Sequence, residues 1–565
     1  MAIMKPGIQT LPTEVVHLIA AGEVIDCLAA VVRELVENSL DAGATRIVIS
    51  VWGQQWRVRV ADNGCGMKIA DLKQAATAHS TSKIRNCDDL WQISSLGFRG
   101  EALHSLAQLA QLEVISRSAQ IDEGWRVTYC NQGKPLQVET AAIAPGTVVT
   151  VDNLFGTWWE RRQGLPPLER QMKAIQSTIG QIALCHPHVT WQVWQNDREW
   201  FALSPGANTQ QLIPQIVRQV RLGDLQHLKI EVPAPQGEKL ATNCSLQLVL
   251  GLPDRCHRHR PDWIKVAVNG RMVNVPELEQ TILAATSRTL PRDRYPICFL
   301  HLKVAPCQVN WNRHPAKTEI YLNNLNHWQE QVSQAIEQTL RLNSDSICQQ
   351  VHNQRIGKLI KAAEAKGTYG LNRSIEPRLE EQQKTNIYLK AIAQVHNTYI
   401  MAEHPGGLWL VEQHIAHERV LYEQLLKSWK LVELEVPAIL HQLSEQQQLQ
   451  LQRIGLDIQT FGADVWAVRN APTLLAPRDD CAEALLELSL GGDLQAAQVA
   501  VACRSAIRNG TPLSLEEMQI LLDRWQSTQN PRTCPHGRPI YLSLEETALS
   551  RFFRRNWVIG KSHGI

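Results

Sequence analysis

Residues 29–45 read "AAVVRELVENSLDAGAT", and the first half of the chain is deciphered from them. Val31, Val32, Leu35 and Val36 recur at helical spacing and Gly43 follows as a stop signal, so the segment predicts a helix. Glu34, Asn38 and Asp41 stand at i, i+4 and i+7 and share one face of it. An acid and an amide one turn apart can supply a base and a metal ligand, although a solvated polar face uses the same residues more often. The next stretch, 45–64, "TRIVISVWGQQWRVRVADNG", alternates and is rich in β-branched residues, which predicts two antiparallel strands. The second strand runs into Asp62, followed by Gly64 and Gly66, where the backbone can bend tightly around a ligand. A carboxylate at a strand end can accept a hydrogen bond from an exocyclic amine such as that of adenine. Then come "HSTSKI" (79–84) and "SLGFRGEAL" (95–103), in which Gly97 and Gly100 flank Phe98 and Arg99 ahead of a helix, and free amides at a helix start favour phosphate.

The chain has 565 residues, too many for a single core, so three or more domains are expected. Apolar residues make up 44% and charged residues 20%, the composition of a water-soluble globular protein. No apolar run is long enough to span a bilayer, and the first residues lack the charged and apolar segments of a secretory signal. Thirteen scattered cysteines fit a reducing cytoplasm, with a few thiols kept for metal. The net charge of +2 averages over domains, so any nucleic-acid surface is local. Helix-like and strand-like stretches alternate over residues 1–205 and again over 206–342. A polar, charged segment, 343–385, reads as a flexible linker, and apolar segments return over 386–565. Within that last region "LSEQQQLQLQRIG" (443–455) opens on a capping box, Ser444 with Gln447, and predicts a surface helix.

Taken together, "ELVENSLDAGA", "DNGCGM", "TSKI" and "GFRGEAL" resemble the motifs of the GHKL ATPases, and with "AAGEV" (20–24) they resemble the MutL family in particular. The resemblance implies an α/β sandwich for ATP at the N-terminal end, an S5-like α/β transducer domain, the linker, and an α+β C-terminal domain for dimerisation. It implies Glu34 as the general base that activates water and Asn38, beside Asp41, at Mg²⁺. Asp62, with Gly64 and Gly66, would read adenine, backed by Gly146 and Thr147 of "APGTVVTV". Thr81, Ser82 and Lys83 would line the phosphates, and Gly97, Phe98, Arg99 and Gly100 would form a lid over them. "VNWNRHPAKTEI" (309–320) is similar to the family's "NVHPAK" segment, so Lys317 would reach the γ-phosphate and stabilise transferring charge. Arg271, in the "NGR" turn, is expected to face DNA, as are Arg161 and Arg162. The stretch around the latter, "LFGTWWERRQG", departs from the family's "LFxNxPARRK" at Thr157, Trp159 and Glu160. "DRCHRHRPDW" (254–263) reads as a solvated basic loop rather than a metal site, since no second ligand pair lies close in sequence.

A strand-to-helix segment, 408–426, "LWLVEQHIAHERVLYEQLL", places His414 and Glu418 four apart, able to grip one ion. Cys503 in "VACRSAIRNG" and Cys534 with His536 in "TCPHGRPI" supply two thiols and another imidazole. These segments, with "SRFFRRNW", are similar to the endonuclease-type MutL C-terminal domain, with Glu412 where Asp is usual and Ile415 where Ala is usual. The resemblance implies Zn²⁺ held by some of Glu412, His414, Glu418, Cys503, Cys534 and His536, with Glu418 as catalytic carboxylate and Mn²⁺ as an added ion. Implied partners are double-stranded DNA, a MutS-type mismatch sensor and a second copy of the chain, joined through the C-terminal domains. "VELEVP" (432–437) stands where relatives carry a sliding-clamp-binding segment, but the Gln is absent and Glu435 intrudes, so an ordinary strand ending at proline explains it equally. The alternative to a nuclease is an ATP-gated matchmaker that recruits another nuclease and holds zinc only as a structural ion.

Overall fold

A computed structural model describes residues 13–84, 95–97, 100–233, 244–310, 320–341, 389–404 and 406–545. Phe98, Arg99, Lys317, Phe552, Arg554 and the expected linker lie outside those residues. The chain divides into two compact units, residues 1–251 with 262–282 and 297–335, and residues 252–261 and 283–296 with 336–565.

The first unit is built on a mixed eight-stranded sheet. Its strands are β1 (Arg46–Trp52), β2 (Arg57–Asp62), β3 (Gln111–Arg117), β4 (Trp125–Tyr129), β5 (Pro135–Thr140), β6 (Gly146–Asp152), β7 (Thr190–Gln195) and β8 (Arg198–Leu203). They run in the order β5-β4-β3-β6-β2-β1-β7-β8. The two strands expected in 45–64 form and pair antiparallel, with Ile47 opposite Asp62. Helix α1 (Leu28–Asp41) covers the sheet, burying Leu28, Val31, Val32, Leu35 and Val36, and it packs against α4 (Leu168–Cys185). Its apolar stripe holds it on the sheet, and Asn38 and Asp41 stay partly exposed near its C-terminal end. Gly43 ends the helix with φ of +74°, and the amides of Ala42 and Gly43 close on Asn38 and Leu40. Two further helices belong to this layer, α2 (Ala102–Leu109) and the short α3 (Trp159–Gln163).

The same unit holds a five-stranded sheet of β9 (Leu225–Val232), β10 (Cys244–Gly251), β11 (Ile264–Val268), β12 (Arg271–Val273) and β13 (Cys298–Lys303), in the order β12-β11-β13-β10-β9. Nearly every residue of β13 is buried, as expected of a strand covered on both faces.

In the second unit, β14 (Lys390–Val395), β15 (Tyr399–His404), β16 (Gly407–Glu412) and β20 (Tyr541–Glu545) form a four-stranded sheet in that order. A three-stranded sheet joins β17 (Leu431–His441), β19 (Val465–Pro472) and β18 (Ile458–Gly462) in the order β17-β19-β18. Helix α5 (Gln413–Lys427) leaves β16 directly and packs against α6 (Leu494–Ser505) and α7 (Leu515–Gln526). Trp409 stacks on Tyr541 at 4.4 Å and meets Trp525 edge-on, fixing the sheet against α7. Ser444 and Gln447 make the reciprocal capping bonds expected of the glutamine-rich helix. No helix among the described residues is long and apolar enough to cross a membrane.

Gly66 and Gly146 are the tight points around Asp62. Gly66 has φ of +66°, and a Cβ there would lie 1.9 Å from the Arg117 carbonyl oxygen. At Gly146 (φ +136°) a Cβ would lie 2.1 Å from the Asp62 carbonyl oxygen. Gly66→Ala is expected to destabilise the first unit by more than about 2 kcal/mol, through backbone strain and the clash together. A lowered urea midpoint for that unit's unfolding checks this, and an unchanged midpoint contradicts it.

Candidate functional site

The C-terminal end of α1 gathers the first cluster. Asp62 is reached through Ser39, whose hydroxyl donates to the carboxylate at 2.8 Å, and the Gly64 amide donates to the other oxygen at 2.9 Å. Burial raises the Asp62 pKa above its ordinary value, against the bonds from Gly64, Ser39 and the Thr147 backbone. Thr147 sits opposite Asp62 in the β2–β6 register, and its hydroxyl is 3.0 Å from that of Ser116. The carboxylate is thereby oriented, and it can accept from an amine.

Asp41, one turn beyond Asn38, organises the other side. Its two oxygens accept from the amides of Leu96 and Gly97, each at 2.8 Å. The Lys83 ammonium lies 2.5 Å from Asp41 Oδ2 and 3.4 Å from Asn38 Oδ1. A Cβ on Gly97 would meet Asn38 Oδ1 at 3.1 Å and Lys83 Nζ at 3.2 Å, so the lid's root touches the expected Mg²⁺ ligand. The Lys83 amide is tied to the Thr81 hydroxyl at 3.2 Å. Ser82 lies between these two residues on the same turn, and Gly100 (φ +66°) packs against the Ser80 backbone. Glu34 is buried on the same helix, and the Arg33 guanidinium donates to its carboxylate at 3.4 Å. A buried acid one turn from a side-chain amide oxygen suits a base beside a hydrated Mg²⁺.

Of the three arginines expected at DNA, Arg271 is placed otherwise. Arg271 is 8% exposed; its guanidinium pairs with Glu37 at 2.6 Å and donates to the Leu96 carbonyl, so the residue is a buried strut and not a surface phosphate contact. The expectation failed because its partner is 234 residues away in sequence. Arg161 and Arg162, on α3, are half-buried over Trp158 at 5.8 Å and Trp56 at 4.7 Å, and Arg161 also donates to the Gly22 carbonyl at 3.3 Å. Trp158 in the divergent "TWWERR" stretch thus helps to hold Arg161 by cation–π contact, as Trp56 holds Arg162.

The second cluster is assembled by α5. Two donor groups converge, His414 with Glu418 and Cys503, and Glu418 with Cys534 and His536, the ligand atoms in each lying within 4.8 Å of one another. Glu418 belongs to both and is fully buried, and its Oε1 lies 2.7 Å from His536 Nδ1. A buried carboxylate facing imidazole and thiol is a donor set that fits a cation such as Zn²⁺. Glu412, expected among the ligands, belongs to neither group: its Oε2 caps α5 by accepting from the Ile415 amide at 2.5 Å, while its Oε1 is buried without a partner. Cys256, His257 and His259 form no such group either.

Several residues that sequence reasoning passed over position these donors. The peptide of Ile507 is gripped from both sides: its carbonyl is 2.9 Å from His414 Nδ1 and its amide donates to His417 Nδ1 at 3.0 Å. The first contact makes His414 Nδ1 the protonated nitrogen and leaves Nε2 for metal. Burial lowers the His417 pKa to about 4, so it accepts as a neutral ring. Arg419 is buried and donates from Nε to the Thr533 carbonyl at 2.8 Å, while Glu423 accepts from the amides of Gln529 and Asn530 at 2.7 and 3.0 Å. Both hold the loop leading to Cys534. The loop then turns back on itself, with the Gly537 amide on the Cys534 carbonyl and the His536 amide on Cys534 Sγ at 3.3 Å. Arg538 reaches Glu418 Oε2 at 3.5 Å. Bonds with Cys534 and then Glu418 raise the His536 pKa to about 9; burial raises that of the Cys534 thiol, but the His536 bond carries it below its ordinary value.

The comparisons match this division. Residues 26–150 match the family described as "Histidine kinase-, DNA gyrase B-, and HSP90-like ATPase", residues 227–341 "DNA mismatch repair protein, C-terminal domain", and residues 392–513 "MutL C terminal dimerisation domain". The DNA mismatch repair protein MutL of Nostoc punctiforme is 69% identical, covering 100% of both chains, and that of Trichormus variabilis 67%, again over 100% of both. A solved N-terminal domain of a DNA repair protein is 23% identical with a TM-score of 0.48, covering 56% of this chain and 96% of that one.

Two outcomes are expected at the second cluster. His417→Ala frees the Ile507 peptide and should weaken zinc binding by about 10- to 100-fold, measured by competition with a chelating dye. Metal must displace the proton that His536 holds up to about pH 9, so the metal-free protein's zinc affinity should climb as pH rises toward that value. Calorimetry in buffers of different ionisation enthalpy should show proton release on binding at pH 7.

Proposed function

The chain belongs to the MutL family of DNA mismatch repair proteins, with that family's ATPase and dimerisation domains, and on this premise we propose that it is an ATP-driven DNA clamp with a metal-dependent nicking site. One observation carries the second half of the proposal: a fully buried carboxylate, Glu418, shared by two donor groups whose other members come from three separate segments. Burying an acid is costly unless something compensates its charge, and two metal-binding groups meeting on one carboxylate suit a pair of ions.

At the first cluster Asp62 selects the adenine amine. Asn38 completes the Mg²⁺ shell and Glu34 takes the proton of the attacking water. Lys83 and the amides at Gly97 meet the phosphates, and Asp41 links those contacts to α1. Lys317 would serve the γ-phosphate. Two copies of the chain are held together at their C-terminal domains, so closing the N-terminal units on ATP would encircle duplex DNA. A MutS-type sensor would license that closure. Arg161 and Arg162 would offer their free N–H edges to phosphate.

At the second cluster His414, Glu418, Cys503, Cys534 and His536 would hold Zn²⁺ and Mn²⁺, which supply an activated water and neutralise the phosphate when bound. The protein's own residues keep that site dry on one side and pre-oriented. His414 is fixed by Ile507, the Cys534 turn by Arg419 and Glu423, and Arg538 stands beside Glu418 where a phosphate oxygen would arrive. In β17 the pairing register breaks between Glu433 and Ala438, and Val436 is 79% exposed on the bulge, an accessible point for a sliding clamp. A second reading, a matchmaker with structural zinc alone, is favoured by Glu412, which uses one oxygen to cap α5.

Supercoiled plasmid incubated with the protein and Mn²⁺, with and without ATP and a sliding clamp, separates the two. Nicking abolished by Glu418→Ala supports the nuclease; no nicking under any of these conditions supports the matchmaker. Glu34→Ala should bind ATP with little change and hydrolyse it about 10²- to 10⁴-fold more slowly. Unchanged turnover would remove Glu34 from the base's role.

A further inference from the structure

The hairpin turn between β11 and β12, Asn269–Gly270–Arg271, is locked from several directions. Asn269 and Gly270 have φ of +47° and +83°, the left-handed pair of a tight hairpin. Asn269 clasps Val304, donating to its carbonyl at 3.0 Å and accepting from its amide at 2.9 Å. The Gly270 amide donates to His301 Nε2 at 3.0 Å, and the Gly270 carbonyl lies 3.0 Å from His186 Nε2, at the end of α4. Burial lowers both histidines to a pKa of about 4, so each acts as a neutral ring. A turn held this firmly delivers Arg271 to a fixed place. There its guanidinium meets two groups of the nucleotide fold: the Glu37 carboxylate on α1, one residue before Asn38, and the carbonyl of Leu96 at the lid's root. Leu96 is thus held from both ends, since its amide donates to Asp41.

We propose that Arg271 is a positioning residue for ATP hydrolysis, the strut through which the five-stranded sheet sets α1 and the root of the lid. The inference rests on the reading of α1 as the source of the base and the Mg²⁺ ligand. Arg271 touches neither nucleotide nor water in this role. It fixes Glu37 and Leu96 relative to one another, so any shift of the β11–β12 hairpin moves the helix bearing Glu34 and Asn38 together with the amides at Leu96 and Gly97. Both charges are nearly sealed from solvent (8% and 7% exposed side chains), so removing one takes from the other a close buried counter-charge.

The test uses the full chain with Arg271→Ala, Arg271→Lys and Glu37→Gln. Three quantities are read: kcat and KM for ATP, nucleotide-free duplex binding across a salt series, and amide hydrogen exchange over residues 36–41 and 95–97. Arg271→Ala should lower kcat by about 10- to 100-fold, the loss typical of a reacting group displaced by about an ångström. KM should move by less than about threefold, since the struts of nucleotide recognition at Asp62 remain. Exchange at Leu96 and Gly97 should accelerate, Glu37→Gln should follow the same pattern, and Arg271→Lys should recover part of kcat. If Arg271→Ala fails to fold, Glu37→Gln, which keeps the shape and removes one charge, carries the same three readouts. Unchanged kcat and exchange overturn the proposal. So does a uniform loss of DNA binding with a shallower salt slope and normal turnover, which would make Arg271 a phosphate contact. A Glu34→Ala control separates the levels: normal turnover there overturns the reading of α1 itself, while slow turnover there with normal Arg271→Ala overturns only the strut.

Discussion

The Asp41 carboxylate is the constraint on which the nucleotide end depends. Its oxygens take the amides of Leu96 and Gly97 and face the Lys83 ammonium, joining the end of α1 to two loops that are 42 and 55 residues further along. These are charge-assisted bonds in a half-buried place, where they are stronger than their neutral counterparts. Without them the backbone at Leu96 and Gly97 would lose its tie to α1, and Asn38 would lose its neighbours. The rest of the fold follows outward: Ser39 carries the same helix to Asp62, and the glycines at 66 and 146 let neighbouring strands close on it without a side chain in the way.

Helix α5 has the corresponding part in the second unit, by a different physical means. Four successive turns assign work to different faces. Glu412 caps, His414 and His417 bracket Ile507, Glu418 points into the donors, and Arg419 and Glu423 restrain the loop that brings Cys534. The aromatic stack of Trp409, Tyr541 and Trp525 then anchors the strand from which the helix departs. A metal site of mixed thiolate, imidazole and carboxylate donors needs such rigidity, because its geometry is no better than that of the loops supplying it.

Much of this was legible in the residues. The 3.6-residue stripe of Val31, Val32, Leu35 and Val36, with Gly43 behind it, specified α1, and alternation specified β1 and β2, since both patterns arise from local geometry. Glu34, Asn38 and Asp41 could be placed on one face, and the donors of the second cluster could be assembled by likeness. What the sequence hid depends on partners distant along the chain. Arg271 looked like a surface arginine because nothing near it announces Glu37. Glu412 looked like a ligand because its neighbours do, while the local demand of a helix start claimed one of its oxygens. His417, Arg419 and Glu423 carry no motif of their own for loop support, since that role exists only once residues 507 and 529–534 have folded back.

The donors that share Glu418 are spread from His414 to His536 along the polypeptide. During synthesis at about 5–20 residues per second, roughly 6–24 seconds separate the first imidazole from the last. For that interval the early donors exist without the thiol and ring that complete the second group, and Arg419 has no Thr533 carbonyl to grip. A product halted before residue 534 therefore possesses the ATP-binding fold, the helix and the first donor group of His414, Glu418 and Cys503, while the second group around the same carboxylate waits for the last stretch of the chain.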